Sequence, residues 1–360
     1  MESVYIHIPF CKSICSYCDF CKMYYNGSWV TQYLNSLLLE IQDKYDGEEI
    51  KTIYIGGGTP SSLSIKELKY LFEIVKIFKL ATEYEFTFEC NLNDINEELL
   101  EVLKENRVNR LSIGIESFDE NKLKFMERNH TFDEALSIMK LARSYGFRNI
   151  NVDLIYGIPK ETMKDLKKDL DLILKLEPDH ISTYSLIVED HTKIGNMGIV
   201  PIPEELDASM YEYICDKLDS KKFKHYEVSN FALNNKESRH NLTYWNNEEY
   251  YGFGLGAHGY IHGVRYENTR NLTKYLRGEY VKSEEILSKE DKMYNELMLG
   301  FRKMEGINLR NFFQKYDVNM QEVFNLKDVL KEKELIVDGE YIFVNPEYIY
   351  VMNEILIKII

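Results

Sequence analysis

Four of the chain's six cysteines fall within eleven residues, Cys11-Lys-Ser-Ile-Cys15-Ser-Tyr-Cys18-Asp-Phe-Cys21. In a reducing compartment such crowding favours metal binding over disulfides. The C-x3-C-x2-C spacing of Cys11, Cys15 and Cys18 suits a [4Fe-4S] cubane: three thiolates take three irons, and the fourth iron keeps the open position that a catalytic metal requires. The rival is a structural zinc site with Cys21 as fourth ligand, although such sites usually use two separated ligand pairs. Cys21 is otherwise a bystander at the start of the following helix, or a labile extra ligand. Cys90 and Cys215 read as small buried hydrophobes.

Beside the thiols stand residues suited to a small polar ligand. Gly56-Gly57-Gly58-Thr59-Pro60 follows a strand-like run, and its missing side chains let backbone approach a ligand and turn sharply. An amino and a carboxylate group chelating the free iron would let S-adenosylmethionine (SAM) occupy that turn. Glu89, Glu116 and Ser117 close later strand-like runs and Asp153 lies within the next, where carboxylates can accept from ribose hydroxyls or an ammonium group, and Arg128 can meet a carboxylate. Each could equally be a helix cap or a solvated charge. Further on, Arg239, His240, Asn241, Tyr244 and Trp245 offer an imidazole, an aromatic wall and a cation to a planar, propionate-bearing ring. The alternative there is a packed corner with satisfied polar groups. His258, in GLGAH, fits a glycine-rich turn better than a ligand.

These residues need a scaffold that brings strand ends together. VYIHI, TIYI (52–55), YEFTFE (84–89), RLSIGI (110–115), NINVDLI (149–155) and HISTYSL (180–186) read as strands. Amphipathic helices follow them, one opened by the capping box Ser64-x-x-Glu67. Six βα units make an α/β protein with a parallel sheet, doubly wound or curled into a barrel, whose strand ends converge on one face. Periodicity does not choose between the two. The alternation fades after about residue 200. From about 288, three helices, two short strands and a last apolar helix suggest a small helical, winged-helix-like domain. The reading divides the chain into a core (1–200), an extension carrying the ring-binding candidates (201–287) and the C-terminal domain (288–360).

Composition excludes other classes. A formal net charge of −15 leaves no basic footprint for nucleic acid. No run of about 18 apolar residues suggests a membrane span, and MESVYIHIPFCK lacks the pattern of a signal peptide, so a cytoplasmic location is expected.

HIPFCKSICSYCDF, GGGTPSSL, NRLSIGIESF, NVDLIYGIPKET, HISTYSL, YEVSNFA and RHNLTYW-x5-Y-x-GFGLGAHGY follow one another over nearly the whole chain. In this the sequence resembles the oxygen-independent coproporphyrinogen III oxidase-like family of radical SAM proteins, nearest to its heme-chaperone branch. The oxidases resembled carry a fourth cysteine where this chain has Phe20, and an extension ahead of the first strand. The family also has Gln at the place of Glu116, an E-x-N-P run at Glu89-Cys-Asn-Leu92, and Ser at Gly259. The resemblance implies a partial (β/α)6 TIM-like barrel, a [4Fe-4S] cluster and SAM. It implies SAM contacts from Tyr5, Tyr17, Gly57, Gly58, Thr59, Glu89, Glu116, Arg128 and Asp153. It also implies heme as cargo near His240, Tyr244 and Trp245, an electron donor such as flavodoxin or ferredoxin, heme-accepting partners and a possible homodimer. The function implied is heme delivery. The alternative is an enzyme acting on a tetrapyrrole, as an oxygen-independent coproporphyrinogen III oxidase or a related methyltransferase.

Overall fold

The computed structural model describes residues 1–360. The six strand-forming runs become β1 (Ser3–Ile8), β2 (Glu49–Gly57), β3 (Lys79–Asn91), β4 (Arg110–Glu116), β5 (Ile150–Tyr156) and β6 (His180–Ser185). They lie side by side in that order, each neighbouring pair parallel. Parallel neighbours need long crossovers. These are supplied by α1 (Gly27–Lys44), α2 (Ile65–Val75), α3 (Glu97–Glu105), α4 (Glu120–Met126), α5 (Phe132–Ser144) and α6 (Met163–Lys175). The result is the partial (β/α)6 barrel. The capping box expected at Ser64/Glu67 forms, and Thr131/Glu134 and Thr162/Asp165 repeat it. Each box satisfies amide groups that the first helical turn would leave orphaned.

Side chains alternate across the pleat. On the outer face Ile53, Ile55, Phe86, Phe88, Leu111, Ile113, Val152 and Leu154 are buried under the helices. Phe72 of α2, for one, lies about 6 Å ring to ring from Phe86 and Phe88 (6.1 and 6.0 Å). The residues of opposite parity face the lumen, and they are polar: Tyr5, His7, Tyr54, Thr87, Glu89, Arg110, Ser112, Asn151, Asp153, His180 and Ser182. Most barrels of this kind fill that space with branched aliphatics. Here Asn151 stitches it instead, donating to Ser112 Oγ (2.9 Å) and Asp153 Oδ1 (2.7 Å) and accepting from His180 Nδ1 (2.6 Å) and Ser182 Oγ (3.1 Å).

A seventh parallel strand, Tyr251–Phe253, pairs with the outer edge of β1 through Val4↔Tyr251, Tyr5↔Gly252 and Ile6↔Phe253. Three residues are too few to show a period, so the sequence reading passed over it. Fully buried Glu40 of α1 fastens the segment, accepting from Gly254 N–H (2.9 Å), Tyr275 O–H (2.6 Å) and Asn268 Nδ2 (2.6 Å) and pairing with Lys44 (2.9 Å). A Cβ on Gly259, where the family resembled has Ser, would come within 2.2 Å of the Tyr266 ring.

The chain forms two compact units, residues 1–210 with 249–285, and residues 211–248 with 286–360. The stretch 201–287 is thus shared between them. The second unit contains the hairpin Lys224–Glu227/Asn230–Ala232 and the helices Arg239–Trp245, Lys289–Gly300 and Leu309–Tyr316. It also contains a small antiparallel sheet in which Tyr341–Val344 lies between Ile307–Asn308 and Leu335–Asp338, the wing-like element expected from the sequence. No helix is long and apolar enough to cross a membrane.

Candidate metal and cofactor site

The cysteine loop leaves the mouth end of β1 at Pro9 and is held by the glycine turn after β2. Gly58 N–H donates to Ile8 O (2.8 Å) and Thr59 N–H to Phe10 O (2.9 Å). The loop also closes on itself, with Met23 N–H to Pro9 O (2.7 Å) and Tyr25 N–H to Cys11 O (2.8 Å). Cys11, Cys15 and Cys18 are unpaired thiols that bear electrostatically on one another. Thr59 Oγ1 lies 3.4 Å from Cys11 Sγ, and Arg128 Nη1 lies 3.7 Å from Cys15 Sγ. Burial pushes the Cys11 thiol up to about 11 and moves Cys18 the same way, so a bound metal must displace protons to take thiolates.

Cys21 lies ahead of α1, not at its start. Its Sγ packs where a Cβ on Gly256 would come within 3.0 Å, beside the Arg270 guanidinium. Its carbonyl accepts from His7 Nε2 (2.6 Å), which fixes the tautomer and leaves His7 Nδ1 to accept from the Tyr5 hydroxyl (2.9 Å). No group of three or more His, Cys, Asp or Glu side chains gathers as around one ion. Three loop thiols within electrostatic reach of one another but not gathered about one point suit a cubane, in which each sulfur takes its own iron, better than a single tetrahedral centre.

The recess beside the loop is shaped by missing side chains. A Cβ on Gly58 would stand 2.8 Å from the Pro9 carbonyl carbon and 2.9 Å from Cys11 Sγ, and one on Gly57 would stand 2.6 Å from the His7 ring. Gly57 also has φ +115°, a conformation other residues rarely adopt. Gly58→Ala is therefore expected to displace Cys11 and the Pro9 backbone, leaving reconstituted protein short of iron and lowering the melting temperature of the apo-protein. Iron assay and a thermal melt check both halves.

Three carboxylates line this end of the barrel. Glu89 accepts from Tyr54 O–H (2.6 Å) and Gly57 N–H (3.0 Å). Glu116, in a left-handed conformation at φ +66°, faces Arg128 with Nη1 3.5 Å from Oε1. Asp153 accepts from Asn151. Burial pushes Glu89 and Glu116 up to about 7 and raises Asp153. Tyr17 packs beside Leu123, Met126, Ile155 and Ile158. A ligand bearing a sulfonium and an ammonium would compensate this concentration of buried negative charge, so the donor set fits SAM. With Glu116 in place of the family's Gln, Arg128 gains an ion-pair partner. Sequence reasoning missed two groups in this unit, the buried Lys122 network and Arg110. The alternation of β4 could have flagged Arg110 as lumen-facing.

The ring-binding candidates belong to the second unit. His240 is buried, with Nε2 2.7 Å from the Tyr244 hydroxyl and its ring edge-on to that tyrosine. Trp245 Nε1 is buried and directed at the Glu227 carboxylate, and Arg302 stands over the indole at 5.5 Å.

A parallel βα barrel whose first strand feeds a three-cysteine loop beside a glycine turn and buried carboxylates defines the radical SAM class. The Radical SAM superfamily model matches residues 5–173, and that of the HemN C-terminal domain matches 287–347. The chain is 39% identical to heme chaperone HemW of Lactococcus lactis, covering 99% of this chain and 97% of that protein. It is 40% identical to HemW of Bacillus subtilis, covering 94% of each, and 34% identical to HemW of Escherichia coli, covering 84% and 83%. The chain belongs to the HemW family of radical SAM proteins. Coproporphyrinogen III oxidase (HemN) from Escherichia coli shares its fold, with a TM-score of 0.87 at 20% identity over 99% of this chain and 89% of that one.

Proposed function

We propose that this protein binds heme and delivers it to heme-accepting proteins in the cytoplasm, using a [4Fe-4S] cluster and SAM as its resident cofactors. The likeness to proteins named heme chaperone, extending over nearly the full length of both chains, carries this reading. Cys11, Cys15 and Cys18 hold the cluster. Gly57, Gly58 and Thr59 receive the methionine end of SAM, while Tyr5, Tyr17, Glu89, Glu116, Arg128 and Asp153 surround the remainder. When bound and reduced, the cluster supplies the electron that breaks SAM's carbon–sulfur bond; flavodoxin or ferredoxin is the donor class that suits it. The residues' own work is to fix the thiols, exclude water and set negative charge against a cationic ligand.

Heme binds at the Arg239–Trp245 helix, where His240 supplies the imidazole and Tyr244 and Trp245 the aromatic wall. Anaerobic hemin titration should give a Soret shift. His240→Ala should weaken binding by about tenfold or more, equivalent to about 1.4 kcal/mol. Conversion of coproporphyrinogen III to protoporphyrinogen IX by the same reconstituted protein would overturn the chaperone reading in favour of a tetrapyrrole enzyme.

A further inference from the structure

Arg110 opens β4 and is only 2% exposed, one of the largest fully buried side chains in the molecule. A buried guanidinium is costly unless opposite charge compensates it. Its cross-strand neighbour is Thr87, two residues before Glu89 on the same face of β3. Two residues further along β4, Ser112 pairs with Glu89 on one side and Asn151 on the other, and the Asn151 amide reaches both Ser112 and Asp153. Arg110 therefore sits one pleat deeper in the lumen than Glu89 and two pleats deeper than Asp153, which pairs with Gly114. Arg110 Nε and Thr87 Oγ1 are buried and have no hydrogen-bond partner. Buried arginines that serve packing alone are usually satisfied by local acceptors. Here the charge acts through space.

We propose that Arg110 is a positioning residue for SAM: a fixed positive charge in the lumen that keeps Glu89 and Asp153 as anions facing the ligand's cationic groups, acting through those carboxylates rather than by touching the ligand. The inference rests on the reading of Glu89 and Asp153 as SAM contacts. Burial is the largest influence on both carboxylates and drives them toward the neutral acid; hydrogen bonds from Tyr54 and Gly57 to Glu89 and from Asn151 and Ser182 to Asp153 oppose it first, and Arg110 adds a fixed positive charge that opposes it at each. The other charged or titratable groups that bear on them are Tyr5 from β1, Tyr54 from β2, Glu116 at the end of β4 and Arg128 behind it. Tyr54, held neutral by burial, donates its hydroxyl to Glu89 and favours the anion, Glu116 adds negative charge, and Arg128, engaged with Glu116 and Cys15, also favours the Asp153 anion. His180 of β6 is held neutral, first by burial and then by Arg110 itself. The lumen thus has Arg110 as its counter-charge on the side away from the mouth.

The sign follows directly. Without Arg110 the carboxylates protonate at higher pH, so SAM binding falls near neutrality and returns as pH rises. The test titrates SAM into the cluster-loaded, reduced protein between pH 6.5 and 8.5 and reads the change in the cluster's EPR spectrum. Arg110→Met should bind SAM about tenfold more weakly at the acid end and recover toward the parent affinity at the alkaline end, following the roughly tenfold change in the anion-to-acid ratio per pH unit. Arg110→Lys should restore the parent profile, and Arg110→Gln carries the methionine expectation if that variant does not fold. A loss equal at every pH, or no loss, overturns the role assigned to Arg110. An unaltered parent protein that shows no EPR response to SAM would instead overturn the assignment of the carboxylates.

Discussion

Anaerobically purified Cys18→Ala should be colourless, its iron falling from about four per chain to a small fraction, because a cubane of this kind has three protein ligands and none to spare. Cys21 does not substitute: its thiol is wedged against the Gly256 turn and the Arg270 guanidinium, and its carbonyl is bonded to His7. Cys21→Ala should therefore keep its iron, and that contrast within one loop is the useful measurement. The fold should survive both changes, with apo-protein melting temperatures close to the parent's, since the thiols form no disulfide. Zinc in the parent protein, or iron retained by Cys18→Ala, would contradict the ligand assignment.

Lys122→Met should destabilise the barrel unit by about 3–5 kcal/mol, because it strands two buried carboxylates without their cation. Lys122 Nζ pairs with Glu161 and with Asp169 (2.8 Å), and the three side chains are 6%, 0% and 1% exposed. Asp169 also accepts from Ser117 Oγ (2.5 Å) and Phe118 N–H (2.8 Å), and Glu161 from Ile158 N–H (3.0 Å). The network thus pins the backbone just beyond Glu116 and the start of the helix that leads to Arg128. For a unit of this size the loss corresponds to a fall in melting temperature of about 6–20 °C. Neutralising the stranded groups in Lys122→Met/Glu161→Gln/Asp169→Asn should recover part of it. A single variant melting within a degree or two of the parent would show that the network carries no such weight.

Much of this was legible in the residues. The six strand runs, the capping box at Ser64 and the order of βα units follow from patterns of period two and 3.6 that the sequence displays openly. The choice of barrel did not, because lumen and helix faces alternate identically in an open sheet. The cysteine spacing pointed to a cluster, whereas the handling of Cys21 depended on Gly256 and Arg270, far away in the chain. Glu89 and Glu116 could be placed at strand ends, and Asp153 within its strand, by counting. Lys122 could not be distinguished from a solvated helix lysine, since its partners Glu161 and Asp169 lie in another βα unit. The strand at Tyr251–Phe253 was hidden in a Gly- and Tyr-rich stretch that reads as loop, and residues 211–248 gave no sign in composition of grouping with the C-terminal unit.

The divided first unit bears on how the protein is made. β1 is synthesised first, yet its outer neighbour, Tyr251–Phe253, and the Gly256 and Arg270 that brace the loop after it come some 250 residues later. At ribosomal speeds of about 5–20 residues per second, the nascent chain spends roughly 12–50 s with that edge bare. Iron delivered before Arg270 is made would meet an unbraced loop, so metallation is best timed after that point, and until then the bare edge is a target for chaperones and for misassembly in cells that overproduce the protein.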